Sequence, residues 1–184
     1  MKVLLICLPL VAIVGCVQPT HSTGFLSPGK TVHLPAGVPQ RVAVFVSGKP
    51  SLSGQAAELF STGLLELGFD VVERNKIAAL TDEMNLSKDG FISAETAIAK
   101  GQLLGADGVF VGNASGERSP TWTDTHLSLR LIQTVTGKTV WSVNAHDPRL
   151  MAVSMAEETS IIYTTKAALK ALQNDLSKMK SDSP

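Results

Sequence analysis

Beyond Cys16 this 184-residue chain contains no cysteine, and its other cysteine, Cys7, lies nearer still to the N-terminus. Whatever folds downstream has no disulfide to staple it, no thiolate nucleophile and no cysteine ligand for a metal. It must stand on a hydrophobic core, and a composition of 44% hydrophobic and 17% charged residues provides one. The 16 basic and 16 acidic residues cancel. No charge surplus points to nucleic acid as a partner, and no polybasic patch adds to attachment at a membrane surface.

The N-terminus reads as an export signal. Lys2 precedes an apolar run from Val3 to Val14, broken by Pro9 and followed by the small Gly15. That run is too short to span a bilayer, which takes roughly 20 apolar residues. The tetrad Ile13-Val14-Gly15-Cys16 resembles the bacterial lipobox. The resemblance implies a signal peptide over residues 1–15, cleavage before Cys16 and acylation of its thiol, so that lipid on Cys16 holds the chain to a membrane. Val17 at the next position is similar to what outer-membrane lipoproteins carry. The competing reading is an ordinary signal peptide with an incidental cysteine. From Val17 to Gln40, Pro19, Pro28, Pro35 and Pro39 stand among small and polar residues. Residues 16–40 are therefore expected to be a flexible tether, whose reach is roughly 80 Å at about 3.3 Å per residue.

Residues 41–180 are expected to form one α/β domain, with 181–184 a disordered tail. Arg41 to Val46 is a β-branched run suited to a strand buried on both faces. Ser51 is placed to cap a helix in which Leu52, Ala56, Leu59, Phe60, Gly63, Leu64 and Leu67 recur at helical spacing, with Gly68 at its end. Phe69 to Val72 gives a second strand, Ile77 to Met84 a short helix, and Ser93 caps another helix closed by Gly105. Gly108 to Val111 is the third strand. His126 to Thr136 and Lys138 to Ala145 form a hairpin about Thr136-Gly137-Lys138. A helix from about Met155 to Lys180 follows, with Ile162, Thr165, Leu169, Leu172, Leu176 and Met179 in alternating steps of three and four. The pattern predicts a mixed sheet with helices packed on it, a C-terminal β-hairpin and then a long helix. The stripe on that helix is assigned to the sheet, with a helix–helix oligomer seam as the alternative. Leu59, Leu64, Val109 and Trp141 are expected in one shared core.

Several pieces in order carry a family likeness: Val72-Glu73-Arg74, Glu83 to Leu86, Asp89-Gly90, Ala94 to Leu104, Gly105-Ala106-Asp107, Gly112 and the strands around Thr136-Gly137-Lys138. Together they resemble the CsgG-like proteins, the curli production assembly/transport lipoproteins, over residues 41–180. The resemblance implies a compact domain on the periplasmic face of the outer membrane. One departure matters. The 13 residues from Asn113 to Thr125, read as a Gly- and Pro-broken link, are too few for a membrane-spanning hairpin of two strands of about 9–11 residues each. A pore is therefore not expected. The pared-down domain is also similar to the LpoB type of penicillin-binding-protein activator.

Catalytic constellations are weak. His21 and His33 lie in the tether, while His126 and His146 stand twenty residues apart without a further ligand motif. Asp124 before His126 suggests an acid–base pair but reads better as a solvated strand end. Gly48-Lys49-Pro50-Ser51 lacks the glycine spacing and amides of a phosphate loop. In Gly112 to Gly116 the serine falls one place late for a nucleophile elbow. Glu73 and Arg74 read as a local ion pair.

The expectation is therefore a non-catalytic lipoprotein on the periplasmic face of the outer membrane. It would serve as an assembly/transport or adaptor component of a cell-envelope machine of the curli-export type, with envelope proteins as partners. No cofactor, metal or nucleic acid is expected, and self-association is left open. An activator of a peptidoglycan-synthesising penicillin-binding protein is the alternative. A second alternative, from another class, is a small hydrolase or ligand-binding lipoprotein using Lys49, Ser51 and Asp107 near strand ends. Trp122 is singled out as a partner contact, against the reading in which its ring folds back beside Trp141.

Overall fold

The computed structural model describes residues 37–73, 93–120, 122–150 and 157–181. The signal peptide, Cys16, most of the tether, the short helix at 77–84, the Asp89-Gly90 turn and Arg74 lie outside them. The elements in chain order are β1 (Arg41–Gly48), α1 (Pro50–Glu66), β2 (Asp70–Val71), α2 (Ala94–Leu103), β3 (Gly108–Arg118), β4 (Trp122–Gln133), β5 (Thr139–Leu150) and α3 (Glu157–Ser181). The strands form one sheet in the order β2-β1-β3-β4-β5. β1 runs parallel to β2 and β3, and β3, β4 and β5 run antiparallel to one another. The expected mixed α/β domain with its hairpin and long final helix is thus present.

The alternation of side chains divides the sheet into two faces. On one face Val42, Val44, Phe110, Leu127, Leu129 and Leu131 meet Leu52, Phe60 and Leu64 of α1 and Ile161, Ala168 and Leu172 of α3. Phe110 is its centre, in edge-to-face contact with Phe60, Phe69 and Trp141 at ring centroid distances of 5.1, 6.0 and 6.1 Å. On the other face α2 covers only part of the sheet, packing Ala97 against Ala43, Phe45, Val109, Val111 and Ile132. The single shared core expected from sequence is therefore two. Leu64 and Trp141 belong to the first and Val109 to the second, and Leu59 is only partly buried.

Helix ends follow the local chemistry. Gly68 and Gly105 take φ values of 92° and 65° and end α1 and α2 as left-handed caps. Ser93 Oγ accepts from the amide of Thr96, as its position in sequence suggests. Ser51 is not a cap: α1 starts earlier, with Lys49 at the N-cap and Pro50 in the first turn, where its missing N–H costs nothing. On α3 the buried stripe runs through Ser160, Ile161, Thr164, Thr165, Ala168 and Leu172. It is used within the molecule, against β4, β5 and α1. Met179, assigned to the seam from its spacing, is exposed.

The largest departure from the sequence reading lies between Asn113 and Thr125. This segment is not a link. β3 continues to Arg118 and β4 begins at Trp122, and they stay in register down to Arg118↔Thr123. Its glycine, Gly116, read as a break, is a site of close approach. A β-carbon on Gly116 would lie 2.9 Å from Leu52 Cδ1. The signal lies in the odd-numbered series Thr123, Thr125, Leu127, Leu129, Leu131, all buried, whose first two members are polar and so hide the period of two.

Candidate interaction surface

Because α2 stops short of β4 and β5, the even-numbered residues of the extended hairpin stand on an open, polar face. From β4 come Trp122, Asp124, His126, Ser128 and Arg130; β5 adds Ser142, Asn144 and His146. Asn113, Ser115 and Glu117 of β3 complete it. Arg130 reaches toward the N-terminus of α2. There Glu95 has its carboxyl held below its usual range, first by a backbone hydrogen bond and then by the Ser93 hydroxyl; slight burial opposes this, and Arg130 adds a weaker pull downward.

The structure brings His146 to Asp124 and His126, which the sequence sets only two residues apart. His126 and His146 are directly opposed across β4 and β5, their rings stacked at 5.2 Å with 24° between planes. His126 Nε2 lies 3.2 Å from Asp124 Oδ2. Asp124 Oδ1 is buried with no hydrogen-bond partner among the described residues. Opposite Asp124 on β3 is Glu117, a like charge at cross-strand distance. Two carboxylates thus stand side by side on the open face. No group of three or more metal-ligating side chains occurs among the described residues.

Trp122 stands at the end of this row. It is 36% exposed, and its carbonyl accepts from the amide of Ser119 to close the turn. Trp141 pairs with Leu131, nine residues further along β4, about 30 Å away at roughly 3.3 Å per residue. The two tryptophans are also on opposite faces. The indole of Trp141 packs on Phe110 and donates to Asp175 Oδ2 at 3.1 Å, whereas that of Trp122 packs on neither.

The alternative cleft of Lys49, Ser51 and Asp107 does not exist. Lys49 follows the C-terminal end of β1, where its ammonium pairs with Glu157 at the start of α3. Asp107 sits at the other end, its Oδ2 accepting from the amide of Arg41. The length of β1, about 26 Å at roughly 3.3 Å per residue, separates them. Beside Asp107 there is a pocket of about 340 Å³, lined by Val38, Pro39, Gln133, Val135 and Thr136, with no other titratable group among the described residues converging on it. Gly48 to Ser51 forms no phosphate cradle, since the amide of Lys49 is already given to the carbonyl of Ala114.

The class defined by these features is a single α/β domain with one helix-covered face and one open polar face. Comparison with known proteins narrows it. The family model for the peptidoglycan-synthase activator LpoB matches residues 56–146, and the chain has an LpoB-like fold. Among solved structures, the LpoB C-terminal domain from Salmonella enterica superposes with a TM-score of 0.48 at 23% identity, over 61% of this chain and 87% of that one. Lipoprotein GNA1162 from Neisseria meningitidis gives 0.51 at 16% identity, over 72% and 97%. The PelC dodecamer from Paraburkholderia phytofirmans gives 0.50 at 12% identity, over 73% and 86%. The last two establish likeness of fold alone, and nothing is rested on the first. No curated protein matches the chain in sequence. These findings correct the likeness drawn to the CsgG-like proteins: the family model that matches is that of LpoB, and the expectation of a curli-type export component is overturned.

Proposed function

We propose that this protein is a lipid-anchored activator of a peptidoglycan synthase of the penicillin-binding class, acting by contact and not by catalysis. The observation that carries the reading is the extent of the LpoB match. It runs from the middle of α1 to His146 and so includes most of the open face, from Asn113 through Arg130 to Asn144. In this reading the lipid on Cys16 holds the chain to the periplasmic face of the outer membrane. The proline-rich segment lets the domain reach inward by up to roughly 80 Å, the scale of an extended chain of that length. The synthase is met by the open face, where Trp122 supplies an apolar anchor. Asp124 and Glu117 beside it favour a basic side chain on the partner. Loss of the Lys49, Ser51 and Asp107 cleft removes the observation on which the hydrolase reading stood.

Affinity capture of the chain from detergent extracts of the envelope tests this. A penicillin-binding synthase should be retained by the unsubstituted chain and released when Trp122 is replaced by alanine. Retention of an unrelated envelope complex with no synthase in it would defeat the proposal.

A further inference from the structure

β5 is an edge strand: among the described residues nothing pairs with its outer side. Natural edges are guarded by charge, proline or bulges, because an unpaired row of amides and carbonyls is a template for another strand. Here the guards stand only at the two ends. A bulge opposite Leu131 disturbs the start of β5, and Pro148 lies near its end. Between them Trp141-Ser142-Val143-Asn144-Ala145 has no ionisable side chain, and the flanking ionisable residues are Lys138 on one side and His146 and Asp147 on the other.

We infer that the edge of β5 is a self-association site, at which two copies of this chain join their sheets antiparallel about a two-fold axis through Val143. The charge pattern selects a second copy over a foreign strand. An edge that meets itself cannot hold like charges near the axis, whereas an edge that meets a different partner has no such restriction. Antiparallel pairing also brings the Lys138 end of each copy to the Asp147 end of the other. Sizes agree as well. With Val143 on the axis, Trp141 stands opposite Ala145 of the second copy on the helix-covered side, large against small. Ser142 stands opposite Asn144 of the second copy on the open side, two groups that hydrogen-bond to each other. The union is independent of the synthase reading and leaves Trp122, at the far end of β4, uncovered.

Cysteine cross-linking of the full-length chain in membranes tests the register. Cross-strand partners lie about 4.5–5.5 Å apart at Cα, inside the range a disulfide accepts. Val143→Cys should therefore give a dimer-mass band on non-reducing gels after mild oxidation, well above that of the unsubstituted chain, while Ser128→Cys on the interior strand β4 should give none. Should Val143→Cys disturb the core, the pair Ser142→Cys with Asn144→Cys, both exposed, reports the same register. In the Val143→Cys background, S142K/N144K sets like charges against one another and should abolish the band; S142K/N144E sets opposite charges together and should restore it. Absence of a band from both cysteine designs, or a band indifferent to the charge pairs, overturns the inference.

Discussion

Gly112 of β3 lies so close to Ser128 of β4 that a β-carbon at position 112 would sit 2.1 Å from the Ser128 carbonyl oxygen and 2.5 Å from Leu129 Cδ2. A backbone oxygen held in a ladder has nowhere to go. Gly112→Ala should therefore cost at least the ~1–3 kcal/mol of ordinary overpacking. Chemical denaturation of the purified chain checks it, and an unchanged midpoint would mean that the two strands leave room for a methyl group.

Much of the fold is legible in the amino-acid sequence, and this glycine marks where it is not. Strands and helices alternating from Arg41 to Val111 carry strong periodic signals, and Gly68, Gly105 and Gly137 fall where the chain takes a positive φ. The hairpin of β3 and β4 escapes a sequence reading beyond Val111 because its glycines imitate loop composition and its buried positions include Thr123 and Thr125. Thr125 is held by chemistry a hydropathy pattern cannot show. Thr125 Oγ1 lies 2.8 Å from Ser160 Oγ and 2.7 Å from Thr164 Oγ1, tying β4 to α3. The open face is hidden for a different reason: it depends on α2 ending where it does. Likewise the pairing of His126 with His146 depends on register, which the spacing of two histidines does not encode.

Leu64 is fully buried in the core between α1 and the sheet. Leu64→Ala should lower stability by roughly 2–5 kcal/mol, the range for large-to-small changes in close-packed cores. Thermal unfolding followed by circular dichroism reads this directly.

Lys100 offers a test by pH. Its side chain lies in the second core with the ammonium 5.9 Å from the centre of the Phe45 ring, and burial pushes its pKa below the usual 10.5. Between the lowered folded value and 10.5 the unfolded chain holds more protons, so stability rises with pH through that window. Urea midpoints should increase as the pH is raised toward about 10.5, the unperturbed value, and Lys100→Met should flatten that rise. A wild-type midpoint that falls or stays level across the window would show that the ammonium is not penalised in the fold.

Attachment to the membrane is tested at Cys16. Cys16→Ser should leave the domain folded but release it to the soluble periplasmic fraction, or leave an unprocessed precursor. Processed chain still pelleting with membranes would rule out the lipid anchor.

Trp122 carries little of the fold, since its ring is partly exposed at a strand end. Trp122→Ala should leave the thermal midpoint within a degree or two, roughly the effect of a ~0.5 kcal/mol surface change. It should weaken synthase capture by about 2 kcal/mol, near thirtyfold in Kd. A large loss of stability would instead make the indole part of the core.

The most direct test is the rate at which the organism's penicillin-binding synthase polymerises glycan strands in detergent with and without this chain. The unsubstituted chain should accelerate polymerisation in a saturable manner, and Trp122→Ala, folded by circular dichroism, should require a roughly thirtyfold higher concentration for the same effect, the counterpart of ~2 kcal/mol. An unchanged rate at saturating concentrations of the folded chain would contradict the assignment as an activator.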